Sequence, residues 1–245
     1  MRADLNDRPN LRRLAFYASQ EHACGYLPGR RAVTLFADPG AHLDNGIYSR
    51  LADYGFRRSG AYIYQPSCPQ CDACIPVRIP VDEFTPRRSE IRTWRRNRDL
   101  AVHPVAPDYH EEHFALYRRY VHARHRGSSM DHADPEKYLE FLTSPWSATT
   151  FYEFRHGPRL LGVAVVDRLE QSLSAVYTFF DPEVPARGLG TYAILWEIEE
   201  ARRLNLRWLY LGYWIRECPK MSYKGHFRPM EIYRQGQWRP YPEGP

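Results

Sequence analysis

The residue pattern predicts an α/β (α+β) chain in two parts, and three observations carry that expectation. Apolar and β-branched runs over residues 149–154, 160–167 and 173–180 follow one another at strand length, the first two joined by a turn at His156, Gly157 and Pro158. Behind them a glycine turn, residues 185–190 (PARGLG), opens a long apolar-periodic helix over 191–204, and a strand over 208–211 follows it. The first hundred residues instead alternate short strand-like and helical pieces around a cysteine-rich turn, and Pro104 and Pro107 break the chain after them. The expected division is a small mixed domain over residues 1–103 and a larger domain over 104–245; a chain of 245 residues can bury a substantial core.

Taken in order, Arg12, Arg13 and Leu14 to Phe16 read as a short strand, and Pro28 with Gly29 as a turn. Residues 33–36 read as a second strand. Between Asp44 and Tyr54 the apolar Ile47, Leu51 and Tyr54 fall at helical spacing, and Gly55 stops that helix. Residues 61–64 are strand-like again, and 77–81 extended. From Asp108 to Arg126 an amphipathic helix sets Phe114, Leu116, Tyr117, Tyr120 and Val121 against a basic face that also carries His122 and His125. Residues 127–134 read as a loop before another helix over 135–142.

The formal charge is +5, and 31 of the 34 basic residues are arginine, since only Lys137, Lys220 and Lys224 are lysines. Arginine is concentrated over residues 87–98, where Arg87, Arg88, Arg92, Arg95, Arg96 and Arg98 surround Trp94 against the single Glu90. Guanidinium groups pair with phosphate and an indole stacks on a base, so this stretch is a candidate RNA-backbone patch; its plainer reading is a solvated linker helix. The longest apolar run, residues 160–166, is far shorter than the ~20 residues of a membrane span, and no charged-then-apolar signal opens the chain. The expectation is a cytoplasmic protein with no membrane partner.

Three of the five cysteines, Cys68, Cys71 and Cys74, recur at three-residue intervals in a turn held open by Pro66, Pro69 and Pro76. Such spacing is a zinc or iron–sulfur signal, with Cys24 as the candidate fourth ligand and His22 beside it; three reduced, packed thiols are the alternative. Five cysteines also suit a reducing compartment better than a disulfide framework.

The knuckle stands in a longer context: residues 54–60 (YGFRRSG), 64–66 (YQP), 75–79 (IPVRI), 84–89 (FTPRRS) and 94–97 (WRRN), followed far downstream by 209–215 (LYLGYWI), 218–224 (CPKMSYK) and 227–229 (FRP). These blocks closely resemble the bacterial branch of the arginyl-tRNA-protein transferase family, the aspartate/glutamate leucyltransferases, over nearly the whole chain. The strand, glycine-turn and helix order after residue 149 also resembles the GCN5-related acyltransferases. There a glycine turn and helix N-terminus hold an anion, a role that would fall here to Arg187, Gly188 and Gly190. In that family Gln or Arg stands three residues before the first glycine; here it is Pro185, which points away from acetyl-CoA and toward a different anionic donor. In the eukaryotic transferases the early cysteines form a CxxC pair, whereas here Cys24 stands alone, so the cysteines are candidate ligands only.

The resemblance implies transfer of leucine from leucyl-tRNA to proteins that begin with Asp or Glu, marking them for degradation by the N-end rule route. Arginyl-tRNA as donor, acetyl-CoA as donor, and a zinc-knuckle RNA-binding protein without catalysis are the rival readings. Hydrolysis and phosphoryl transfer lack support, because the chain has no Ser-His-Asp order, P-loop or HExxH. Aminoacyl transfer requires no cofactor: the ester is already activated, and the enzyme has to position a neutral amine and stabilise an oxyanion. Tyr213, Lys220, Tyr223 and Lys224 are the catalytic candidates, two of the three lysines lying four residues apart between tyrosines. Arg78, Lys220 and Lys224 are the candidate readers of the acceptor's carboxylate.

Overall fold

The computed structural model describes residues 14–127, 131 and 134–242; Arg12, Arg13 and most of the expected loop at 127–134 lie outside them. The described residues form a mixed α/β fold. Its first part is a four-stranded antiparallel sheet in the order β1 (Phe16–Ala18), β4 (Thr34–Ala37), β6 (Tyr62–Pro66), β5 (Arg57–Ser59), with the hairpin β2 (His22–Ala23) and β3 (Arg31–Ala32) beside it. Helix α1 (Asn45–Asp53) starts where Asp44 accepts a 2.6 Å hydrogen bond from the Ile47 N–H, a side-chain N-cap. It ends at Gly55, whose φ of +83° an L-residue adopts only under strain.

An eight-stranded sheet dominates the rest. Its order is β14 (Gln237–Pro240), β13 (Glu231–Arg234), β7 (Ile75–Pro80), β12 (Trp208–Trp214), β11 (Ser172–Phe180), β10 (Arg159–Arg168), β9 (Thr149–His156), β8 (Ala101–Val105). All pairs are antiparallel except β11 with β12. The sheet thus takes β7 from before residue 103, and β8 spans the position where the sequence predicts a domain boundary. Pro104 lies on β8, the last strand of the sheet, where a missing N–H leaves no ladder partner unsatisfied. It therefore reads as a breaker in the sequence and acts as edge-strand protection in the fold.

Strand alternation sorts the core onto two faces. Leu161, Ala164, Val166, Leu209 and Leu211 pack with helices α2 (Arg88–Arg96) and α5 (Leu189–Arg203). Leu160, Val163, Val165 and Phe179 pack with α3 (Glu111–Arg124) and α4 (Pro135–Leu142). Tyr210, between Leu209 and Leu211, turns the other way into the cluster formed with α1 and the small sheet. The two sheets are tied by Arg58, fully buried, which donates to Asp167 (Nε to Oδ2 2.5 Å, Nη2 to Oδ1 2.7 Å), to the Leu142 carbonyl and to Thr149. Among the described residues no helix is long and apolar enough to cross a membrane.

Candidate active site

The parallel strands β11 and β12 pair only at Ser172 with Trp208, Leu173 with Leu209, and Ser174 with Tyr210. Both then run on without pairing to each other, β11 along β10 to Phe180 and β12 along β7 to Trp214. The parting coincides with irregularities on either side: the β10–β11 register shifts between Val165 and Val166, and the β12–β7 register between Tyr210 and Gly212. A gap in a sheet leaves main-chain carbonyls without ladder partners, and they must be satisfied otherwise. Arg57, reaching in from β5, does this: its guanidinium donates to the Ala175 carbonyl (2.5 Å), Ser174 Oγ (3.1 Å) and the Tyr210 carbonyl (3.5 Å). Gly212 makes room for it. With φ +78°, a Cβ there would stand 2.9 Å from Arg57 Nε.

Lys224 enters the same region from the turn Tyr223–His226. It is buried, and its Nζ donates to the Tyr213 carbonyl (2.9 Å) with the Met221 sulfur at 3.9 Å. Burial, reinforced by the positive charge of Arg57, pulls its ammonium down to about 7, with Cys218 acting the other way. Tyr213 contributes its main chain to that contact. Its hydroxyl is turned away and donates to the Gly55 and Tyr64 carbonyls, both at 3.1 Å, bracing the small sheet against β12. Tyr223 is 41% exposed as a residue, while crowding around its hydroxyl and the nearby Tyr120 and Glu197 push that group up to about 12. Lys220 stands outside this group, exposed, with its Nζ 3.4 Å from His125 Nδ1.

Two residues that the sequence does not single out complete the centre: Arg57, described above, and Glu197 of α5. Glu197 is completely buried, and burial pushes its carboxyl up to about 8, opposed only by Arg57. A signal for Glu197 exists as a carboxylate on the face that otherwise lays Ala193, Ile194, Ile198 and Ala201 against the sheet. Arg57 has no local signal, because its partners lie more than a hundred residues away.

The cysteines gather at the edge of this centre. Burial pushes the Cys74 thiol up to about 12, and Cys24, Cys68, Cys71 and Cys218 all add to that shift, so the three knuckle cysteines, Cys24 and the fifth cysteine are electrostatic neighbours. Residues 67–74 form no helix or strand beyond a turn in which the Cys71 N–H donates to the Cys68 carbonyl. All five thiols are free. Cys24 Sγ accepts from the Tyr26 and Leu27 N–H groups and Cys68 Sγ donates to the Val33 carbonyl. Among the described residues no group of three or more His, Cys, Asp or Glu is placed to hold a metal ion. Tyr26 and Tyr64, whose hydroxyls are raised chiefly by burial, connect the cysteines to Arg57 electrostatically.

Arg78 is elsewhere. It is buried on β7, donates to Glu231 at 2.5 Å and to the Tyr210 hydroxyl, and lies between the Trp208 and Trp238 rings at 4.0 and 4.3 Å. The glycine turn is near α2. Gly188, with φ +63°, caps α5, and a Cβ on Gly190 would meet the Phe180 ring at 3.1 Å. Arg187 is clamped by Asp99 (2.9 and 2.7 Å), a contact that chiefly holds the Asp99 carboxyl down at about 2. Arg87, Arg88, Arg92, Arg95, Arg96 and Arg98 line this side of the molecule, all of them exposed, while Trp94 packs on Tyr192. Arg96 also donates to the Ala186 carbonyl, linking the patch to the glycine turn. A groove of about 310 Å³ between α2 and α5 is lined by Trp94, Arg95, Arg98, Ile91 and Leu195, and a smaller one by Thr93, Thr191, Tyr223 and His226.

The chain as a whole has known relatives. The model of the arginine-tRNA-protein transferase C terminus matches residues 112–234, and that of the N terminus matches 22–92. The chain is 50% identical to the aspartate/glutamate leucyltransferase of Hahella chejuensis over 94% of its own length and 98% of that protein's. It is 49% identical to the protein of the same name from Pseudomonas fluorescens over 93% and 97%, and 51% identical to that of Alkalilimnicola ehrlichii over 93% and 96%. Among solved structures, L-PGS from Bacillus licheniformis shares the fold alone (TM-score 0.50, 10% identity), the match covering 76% of this chain and 64% of that one.

Proposed function

Since the chain belongs to the arginine-tRNA-protein transferase family, and specifically matches its leucyltransferases, we propose that it transfers leucine from leucyl-tRNA to the N-terminal amine of proteins beginning with Asp or Glu, in the cytoplasm. This is the marking step of the N-end rule route. The observation that carries the reading is about 50% identity to proteins of that activity across almost the full length of both chains.

The site geometry supports acyl transfer. The strand, glycine-turn and helix order resembles the GCN5-related acyltransferases, and on this reading the reacting ester enters the parting of β11 and β12. Lys224, near the middle of its titration at neutral pH, supplies a cation beside the parting for the carbonyl oxygen as charge develops on it. Arg57 holds the walls of the parting in place. The arginines of α2 lie beside the groove and next to the glycine turn, where a tRNA acceptor end would approach, and their charge supports phosphate contact. Acetyl-CoA is disfavoured because the cation nearest the glycine turn, Arg187, is already paired with Asp99. The transfer itself requires no metal or cofactor.

The test incubates the protein with radiolabelled leucyl-tRNA or arginyl-tRNA and peptides beginning with Asp, Glu, Lys or Ala. Label on the Asp and Glu peptides from leucyl-tRNA alone is the expected result, and label from arginyl-tRNA alone would replace the donor.

A further inference from the structure

Glu197 is the group the reaction just described leaves unused. It lies on the face of α5 that packs against β11 and β12, among Ala193, Ile194, Ile198 and Ala201. Its side chain is 0% exposed, and neither carboxyl oxygen has a hydrogen-bond partner. Its electrostatic neighbours are Arg57, which spans the parting from the opposite face of the sheet, and Tyr223, which lines the smaller groove. The carboxyl therefore lies on the helix side of the sheet within electrostatic reach of the Arg57 that spans the parting, with neither oxygen hydrogen-bonded.

A buried carboxyl without a partner destabilises a fold, because the water it loses is not replaced. The contrast within this protein is sharp: Asp167, equally buried, is fully hydrogen-bonded by Arg58 and Thr149. A carboxyl kept unpaired beside a reaction centre has the chemistry of a receptor for an ammonium group. The acceptor brings one, since the N-terminal amine of a protein is mostly protonated at neutral pH, with a free pKa of about 8, and a protonated nitrogen has no lone pair with which to attack an ester.

Resting on the functional reading above, we propose that Glu197 is a catalytic residue that binds the acceptor's α-ammonium group and takes one proton from it. The ionised form of Glu197, the minor one at neutral pH because burial pushes the group up to about 8, takes the proton from nitrogen, leaving a neutral amine and a carboxylic acid. The nitrogen lone pair then forms the C–N bond to the leucyl carbonyl carbon. As the tetrahedral intermediate collapses, the C–O bond to the ribose breaks. Its electron pair leaves with the ribose oxygen, which takes the second nitrogen proton and becomes the free hydroxyl of the tRNA. Glu197 returns its proton to solvent and the new amide departs.

The experiment measures single-turnover leucyl transfer by wild type and Glu197→Gln to two acceptors of one sequence beginning with Asp. One carries the ordinary α-amine and the other an α-hydrazine, a nucleophile already neutral at pH 7. The expected result is a rate for E197Q lowered on the order of 10²–10³-fold with the amine and far less with the hydrazine, at a melting temperature no lower than wild type. Equal losses with both nucleophiles would reveal a structural role and overturn the proposal, as would an undiminished rate with the amine. If E197Q does not accumulate as folded protein, the same two acceptors are run on Glu197→Asp, where unequal losses support the proposal and equal losses overturn it. A wild-type protein that transfers no leucine to either acceptor would overturn the functional reading and this inference together, whereas an active wild type beside an equally active E197Q would overturn this inference alone.

Discussion

Arg57 and Arg58 are neighbours in β5, and strand alternation sends them in opposite directions, Arg57 half-buried and Arg58 buried. Arg58 meets Asp167, Thr149 and the Leu142 carbonyl, so both oxygens of a buried anion are paired and only Nη1 of the cation facing it is left over. Arg57 meets only main-chain carbonyls and a serine, and the carboxyl and the amine around it stay apart: Glu197 has no partner and Lys224 bonds a carbonyl and a thioether. In the first setting ionic groups are spent on holding two sheets together. In the second they retain the capacity to exchange protons near neutral pH, which is what chemistry on an amine and an ester requires. The difference between the regions is pairing, since each holds buried ionisable side chains, Arg58 and Asp167 in the first and Glu197 and Lys224 in the second.

The strongest way to break this comparison is to remove the cation of the paired region. Arg58→Met leaves Asp167 buried without its counter-charge, a loss of about 3–5 kcal/mol, which for a chain of this size lowers the melting temperature by roughly 10 °C. Leucyl transfer per folded molecule should be near wild type, as measured at a temperature where both remain folded. A large loss of activity without loss of stability would mean that the Arg58 cluster takes part in the chemistry.

The unpaired region should respond in the opposite sense. Lys224→Met removes a cation that burial already destabilises, so the fold should be as stable or more so, while kcat falls on the order of 10²-fold, equivalent to about 2.7 kcal/mol. Lys220→Met, which changes an exposed ammonium near His125, is the control and should leave kcat close to wild type. Comparable losses in both variants would move the reacting cation to the rim.

A subtler test lies in the pH dependence of stability, because the two unpaired groups have opposite signs. The folded-state value of Glu197 is raised from 4.5 to about 8, so between those pH values the native state holds a proton that the unfolded chain has released. Stability from this group falls as pH rises through that window, by up to ~1.4 kcal/mol per pH unit. Lys224 is lowered from 10.5 to about 7, so in that window the unfolded chain holds the extra proton and stability rises with pH. Denaturant titrations of wild type, E197Q and Lys224→Met should show the falling segment vanish in the first variant and the rising segment in the second. Arg57, Tyr223 and Cys218 are the charged or titratable neighbours whose contribution all three proteins share.

Much of the framework is legible in the sequence because it is written in periodicity. Strands β9, β10 and β11 and helices α3, α4 and α5 lie within a few residues of where apolar spacing puts them. Helix α1 is marked by its cap and stop, Asp44 and Gly55. What is not legible is set by distant partners. Strand β5 reads Arg-Arg-Ser and has no strand signature; it exists because β6 pairs with it and because Ser174, Ala175 and Asp167 receive its arginines. The hairpin of β13 and β14 turns at Gln235 and Gly236, both at positive φ, and only the glycine signals that turn in the sequence. In the site, Lys224 stands out through lysine scarcity. Tyr213 stands out too, although its hydroxyl braces the small sheet while its carbonyl meets Lys224. Arg78 and Arg187 are visible as cations but not as cations already paired, since Glu231 and Asp99 lie 153 and 88 residues away from them in sequence.

The arginines of α2 are a third condition, charges neither buried nor neutralised, and they should give the smallest effect. Arg95 and Arg96 are exposed with Arg92 a turn before them, and Arg96 makes a main-chain contact to Ala186. Nothing in the core depends on them, because Glu90 caps the helix through the Arg87 N–H and Trp94 anchors it on Tyr192. Replacing the three by alanine should therefore leave the melting temperature nearly unchanged and leave kcat at saturating leucyl-tRNA nearly unchanged. Affinity for leucyl-tRNA should fall, and the slope of log affinity against log salt should drop by about one unit for each phosphate that no longer meets a guanidinium. Because such pairing is screened, the variant and wild type should converge as salt is raised. A wild-type slope from the triple variant would assign α2 to the scaffold alone, and a lowered kcat at saturation would mean that the helix positions the reacting ester through Ala186.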